Sequence, residues 1–198
     1  MKSGNIGGEI EIIVIDKETG KILTHIKKPM NSFVVNMKNL ITLFENNPGY
    51  GYGWSATNTN GVGRVIDIQS GVFLIAPGGD HNYGILVGSS DSPFDVSQYN
   101  LINKIPHGVG AGQLSYGAVT VAEDTPTYKT WQRPFDNLSG GDVVVKEIGI
   151  ACKYVAYLTL SQLLSETGYV LLARDVIPTT VVPNNTSLVV KYTFKINP

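Results

Sequence analysis

The chain has 198 residues, enough for one domain with a buried core that needs no disulfide or metal staple. Its formal net charge of -1 projects no long-range field, which makes nucleic acid and anionic membrane poor partners. A charged share of 16% against the usual ~25%, together with 22 glycines, favours turns and β-structure over long solvated helices. The lone cysteine, Cys152, excludes an internal disulfide and, following an apolar run, reads as a small buried hydrophobe. Met1 to Gly8 is polar and carries no signal-peptide core, and no apolar stretch approaches the ~18 residues of a membrane span.

In chain order, Ile10, Ile12 and Val14 alternate with Glu9 and Glu11, the turn 16–20 follows, and Lys21 to Ile26 returns. This predicts a β-hairpin over 9–26. Phe33, Val34, Met37, Leu40, Ile41 and Phe44 recur at helical spacing and predict a helix over 32–46, capped by Asn31 or Ser32 and stopped by Pro48 and Gly49. An aromatic glycine loop at 49–54 comes next. Strand signals resume at 62–68, 72–76 and 83–88. Two long stretches, 89–112 and 122–142, show no clear periodicity and read as irregular, with an alternating strand at 114–121 between them. Val143 to Cys152 and Tyr169 to Ile177 read as buried strands, while Leu158 to Leu164 is ambiguous between strand and short helix. Leu188, Val190, Tyr192, Phe194 and Ile196 share one face of a final, half-buried strand. Eight to ten strands with one short helix near the N-terminus predict a mainly β, antiparallel, jelly-roll-like β-sandwich, a single domain over 1–198.

The sequence offers little chemistry. It has no phosphate-binding loop and no Gly-x-Ser-x-Gly elbow. His25, His81 and His107 lie far apart without metal-ligand spacing, so no metal and no cofactor is expected. Asp91 and Asp95 flank Ser92-Pro93-Phe94, a pattern that suits turn chemistry better than calcium or acid–base work. Glu147 and Arg174 each interrupt an apolar strand. A lone buried charge is too costly to keep, so the two are expected to pair with each other or to reach a neighbouring subunit. Tyr50, Tyr52 and Trp54 are the candidates for ligand contact, by stacking on sugar rings, although packing against a neighbouring subunit is the more frequent use of such aromatics.

Several segments together resemble tailed-phage virion structural proteins. Residues 16–21 followed by Asn31-Ser32-Phe33-Val34-Val35-Asn36 resemble the hairpin and helix with which those proteins begin. Gly84-Ile85-Leu86-Val87-Gly88-Ser89-Ser90-Asp91-Ser92-Pro93 is similar to their "I-x-V-G-x-G-x-x-x-P" segment, continued through Tyr99-Asn100-Leu101 to Ile105. Val145-Lys146-Glu147-Ile148-Gly149-Ile150 is similar to their "V-x-E-I-G-L" strand, and 169–177 with the turn at Pro183 to their closing strands. The likeness spans about residues 10 to 196 and departs at Ser89, where the pattern has Gly, and in the loop 49–54.

The resemblance implies a non-enzymatic virion component, made in the host cytoplasm and assembled in several copies on head, collar or tail. Its partners would be itself, as a symmetric oligomer, and other virion proteins. The interface candidates are the buriable anchors of the two irregular stretches: Phe94, Tyr99, Leu101, Ile105, Tyr128, Trp131 and Phe135. The alternative is a virion-associated receptor-binding module that takes a host glycan on the loop from Tyr50 to Trp54.

Overall fold

The computed structural model describes residues 5–30, 32–46, 54–66, 72–157 and 165–197. The chain opens with β1 (Asn5–Asp16) and β2 (Ile22–Pro29). Their turn forms because Asp16 Oδ1 accepts the Glu18 and Thr19 amides, and Gly20 takes a φ of 69°, open to glycine at no steric cost. Then come α1 (Val35–Asn46), β3 (Trp54–Thr57), β4 (Gly63–Ile66), β5 (Val72–Phe73), β6 (Gly84–Gly88) and β7 (Ser115–Tyr116). The second half is β8 (Thr120–Asp124), β9 (Tyr128–Asp136), β10 (Val143–Tyr157), β11 (Ser165–Val182) and β12 (Thr186–Asn197).

The architecture is mainly β, with antiparallel sheets and one short helix, arranged as a sandwich. One sheet has the order β2-β1-β12-β9, with β7 and β8 both paired to the far side of β9. The other has β11 against β10, with β5 and β6 sharing the other side of β10; β3 and β4 form a separate hairpin. Every ladder is antiparallel. Ile10, Ile12 and Val14 of β1 and Leu188, Val190 and Tyr192 of β12 join Ile85 and Val87 of β6, Ile148 and Ile150 of β10 and Leu171 of β11 in one buried core. Burying that apolar surface is the main favourable term in the fold. Residues 84–88 are buried on both faces, which explains why β6 reads as an unbroken apolar run rather than an alternation.

Three expectations need correction. The helix begins at Val35 rather than residue 32, because the preceding residues are used as strand: Phe33 bridges Ala173, the Val34 amide donates to the Leu172 carbonyl, and the Arg174 amide to the Ser32 carbonyl. The stretch 122–142 is not irregular but holds most of the β8–β9 hairpin, with a bulge between Val121 and Glu123. The stretch 89–112, although it lacks regular structure, is bonded within the chain along much of its length. The ambiguous residues 158–164 lie outside the described residues.

Candidate functional site: a buried charge junction

Glu147 sits on β10 just past a bulge between Val145 and Glu147, and Arg174 lies on β11 opposite Gly149. Their side chains are 0% exposed, and Arg174 Nε donates to Glu147 Oε2 at 2.6 Å. The pair is not closed on itself. Glu147 Oε1 accepts the Asn103 amide at 2.7 Å, and Oε2 accepts the Ile102 amide at 3.2 Å. On the other side, Arg174 Nη2 donates to the Ser92 carbonyl at 3.0 Å, and Nη1 to Gln98 Oε1 at 3.1 Å and the Pro93 carbonyl at 3.4 Å. Two buried ions on neighbouring strands therefore hold both ends of the segment Ser92–Asn103. The added bonds use the lone pairs and N–H groups that a bare pair would leave unsatisfied, which is what makes such burial tolerable.

Two glycines make room. A Cβ on Gly88 would collide with Glu147 Oε1 and stand 2.7 Å from the Asn103 carbonyl oxygen. A Cβ on Gly149 would meet the Ala173 carbonyl oxygen and Leu101 Cδ2, each at 2.9 Å. Beside the junction, Asp95 Oδ1 accepts the Ser97 amide and hydroxyl, which hold its carboxyl below the usual range. Asp91 pairs with Lys146 at 2.8 Å, and that bond lowers its pKa. Both carboxylates are thus engaged in turn and surface contacts.

The loop displays Phe94, Val96, Tyr99 and Ile102 to solvent. Tyr99 lies against Gly61, and the Asn100 side-chain amide reaches the Thr59 carbonyl at 3.3 Å, so the loop abuts the β3–β4 hairpin. A shallow groove of about 420 Å³ runs there, lined by Thr59, Asn60, Gln98, Tyr99, Asn100, Leu101 and Ile102.

The interface candidates divide. Phe94 and Tyr99 are exposed, while Tyr128 and Trp131 are half-buried, with Trp131 edge-on to Phe194 at 5.3 Å. Leu101, Ile105 and Phe135 turn inward and belong to the core, so their surface is not available to a neighbouring subunit. Trp54 is 0% exposed and its indole N–H donates to the Asn36 carbonyl at 3.0 Å, which withdraws it from ligand contact. Tyr50 and Tyr52 lie outside the described residues. Cys152 is fully buried, and desolvation pushes its thiol up to about 12.

A second buried cation escaped the sequence reading. Arg133 of β9 points into the core with 0% exposure and no carboxylate partner among the described residues. Its guanidinium instead donates to the carbonyls of Tyr83, Ile85, Gly117, Pro77 and Asp80. It also lies over the Tyr116 ring, 4.8 Å from the centroid. Burial lowers its pKa to about 10, still far above neutrality. Arg133 fastens the turn 77–83 and the start of β6 to the first sheet. The alternation of Trp131, Arg133 and Phe135 with Thr130, Gln132 and Pro134 was the available signal.

His81 and His107 both stand edge-on to Tyr116 at 6.2 Å, whereas His25 lies on the outer sheet face with Glu11. Among the described residues no group of three or more His, Cys, Asp or Glu is gathered to hold a metal ion. Comparison with family models, curated proteins and solved structures returns no match.

Proposed function

We propose that this chain is a non-enzymatic structural protein of a tailed-phage or related virion, working by assembly in multiple copies on the head, collar or tail. One observation carries the reading. The segments that resemble the virion proteins, 84–105, 145–150 and 169–177, are distant in sequence but meet at the Glu147–Arg174 junction. Their glycines, charges and proline carbonyl are parts of one device, so the likeness concerns a coupled structural unit rather than scattered short matches.

The device suits assembly. A loop held from within presents Phe94, Val96, Tyr99 and Ile102 without having to be ordered by its partner. Ordering a backbone residue costs ~1–2 kcal/mol, so preorganisation leaves more of the contact energy for association. Other virion proteins are the partners for this loop. The carboxylates weighed for acid–base work, Asp91 and Asp95, and the buried Glu147 are each committed to a structural bond. The alternative as a host-glycan binder loses Trp54 to the core and rests on no other observation.

The test is genetic. Particles made without this gene product should lack one symmetric feature in averaged images and lose infectivity. Normal, infectious particles would contradict the proposal.

A further inference from the structure

The two sheets treat their edges differently. In the second sheet, the outer edge of β11 is met by 32–34, by the Asn36 side-chain amide on the Leu171 carbonyl and by the Lys28 ammonium on the Val176 carbonyl. The outer edge of β6 is met by 103–105, through the Gly88–Lys104 bridge and the Ile105 amide on the Val87 carbonyl. In the first sheet, β2 pairs only with β1 and β8 only with β9, and among the described residues no hydrogen bond closes their outer edges. All five residues of β8 are exposed, as are Ile22 and Leu23 of β2. Open edges are templates for another strand.

The outward face of this sheet carries charge in stripes. Lys27 lies on β2, Glu9 and Glu11 on β1, Lys191 and Lys195 on β12, neutral Thr130 and Gln132 on β9, and Glu123 on β8. Neighbouring stripes attract: Glu11 meets His25 at 2.7 Å, Lys191 at 2.8 Å and Lys27 at 3.4 Å, and Glu9 meets Lys195 at 3.2 Å. One edge is therefore basic and the other acidic. Joining β2 to β2, or β8 to β8, sets like charges side by side, which destabilises a sheet. Joining β2 to β8 continues the alternation.

Strand direction fits the same choice. Four antiparallel pairings separate β2 from β8, so the two run the same way. A copy rotated about an axis along the strands presents β8 parallel to β2, which sets Glu123, near the C-terminal end of β8, on the side of Lys27, near the C-terminal end of β2.

We propose that a second copy of this chain docks head-to-tail, its acidic β8 edge against the basic β2 edge, so that the first sheet continues from subunit to subunit around a ring. This rests on the multi-copy reading above and supplies the contact that reading leaves open. Heterologous contacts of this kind close into cyclic oligomers when the rotation permits.

The experiment uses the full chain in four forms: wild type, the single reversals Lys27→Glu and Glu123→Lys, and their combination. Sedimentation velocity and native mass spectrometry read the assembly, and circular dichroism confirms folding. The wild type should form a discrete oligomer. Each reversal should weaken association by about tenfold or more, and the combination should restore it. Within one chain Lys27 and Glu123 border the same concavity on the outward sheet face, so coupling inside a chain has to be told apart from coupling between chains. Zero-length carbodiimide coupling in a mixture of light and heavy-isotope chains does this, because only the contact between copies gives mixed-isotope products. An oligomer that forms but ignores both reversals and yields no such product overturns the edge contact and leaves the multi-copy reading standing. A wild type that stays monomeric overturns self-assembly and the edge contact together.

Discussion

Gly88 faces Glu147 across the β6–β10 ladder, with space for a hydrogen atom and nothing larger. The carboxylate that would be struck is the one bonded to Arg174 and to the Ile102 and Asn103 amides. Gly88→Ala should therefore cost ~1–3 kcal/mol, the usual range for overpacking. It should also speed amide exchange at Ile102 and Asn103. A loss below about 0.5 kcal/mol with unchanged exchange would mean that Glu147 is free to move.

The ion pair itself is open to a double-mutant cycle. Glu147→Ala and Arg174→Ala should each cost ~3–5 kcal/mol, because each leaves an unpaired buried charge. Replacing both by apolar residues should cost less than the sum. Urea unfolding measures all three. Strict additivity would show that the 2.6 Å contact carries no coupling.

Arg133 makes a different demand, since it serves carbonyls rather than a carboxylate. Arg133→Met should cost at least ~3 kcal/mol by leaving buried acceptors without donors. Arg133→Lys should recover only part of this, since an ammonium has three N–H donors and lacks the planar fork. Amide exchange over 77–84 should rise in both. A near-neutral Arg133→Met would mean that this turn is fastened by other contacts.

Glu11 gives a pH signature. Burial alone would raise its pKa, but hydrogen bonds from Lys191, His25 and Lys27 outweigh that and bring it from 4.5 to about 2. Because the folded value lies below the unfolded one, the ionised carboxylate stabilises the fold above about pH 4.5. That contribution is lost as the pH falls towards 2. Wild type and Glu11→Gln should therefore differ in unfolding midpoint near neutrality and converge in strong acid. A difference that stays constant across this window would detach Glu11 from the acid response.

Much of the fold was legible where one face of a strand is wet. Ile10, Ile12 and Val14, and Leu188, Val190 and Tyr192, alternate with polar residues because one sheet face is solvated, and both strands appear where that pattern predicts. The β8–β9 hairpin was hidden because the inward set Trp131, Arg133 and Phe135 reads as an apolar alternation only if an arginine is accepted as a core residue. The ends of β10 and β11 were hidden because their centres are covered on both faces. At the junction, the cost of isolated burial marked Glu147 and Arg174 as needing partners. It could not say that the partners include the loop 92–103, which depends on backbone atoms that no side-chain pattern encodes. Nor could it tell Leu101 and Ile105, which turn inward, from Phe94 and Tyr99, which do not. All are apolar or aromatic anchors in one irregular stretch, and only the clamp decides which way each points.

Membership of the virion is decided by quantitative mass spectrometry of purified virus particles from the source of the gene, with heavy-isotope peptides of this chain as the internal standard. A virion structural protein that acts by assembly should be present in several copies per particle, in fixed ratio to the other virion proteins, and should survive density-gradient purification. Its absence from purified particles, or a trace below one copy per particle, would contradict the account.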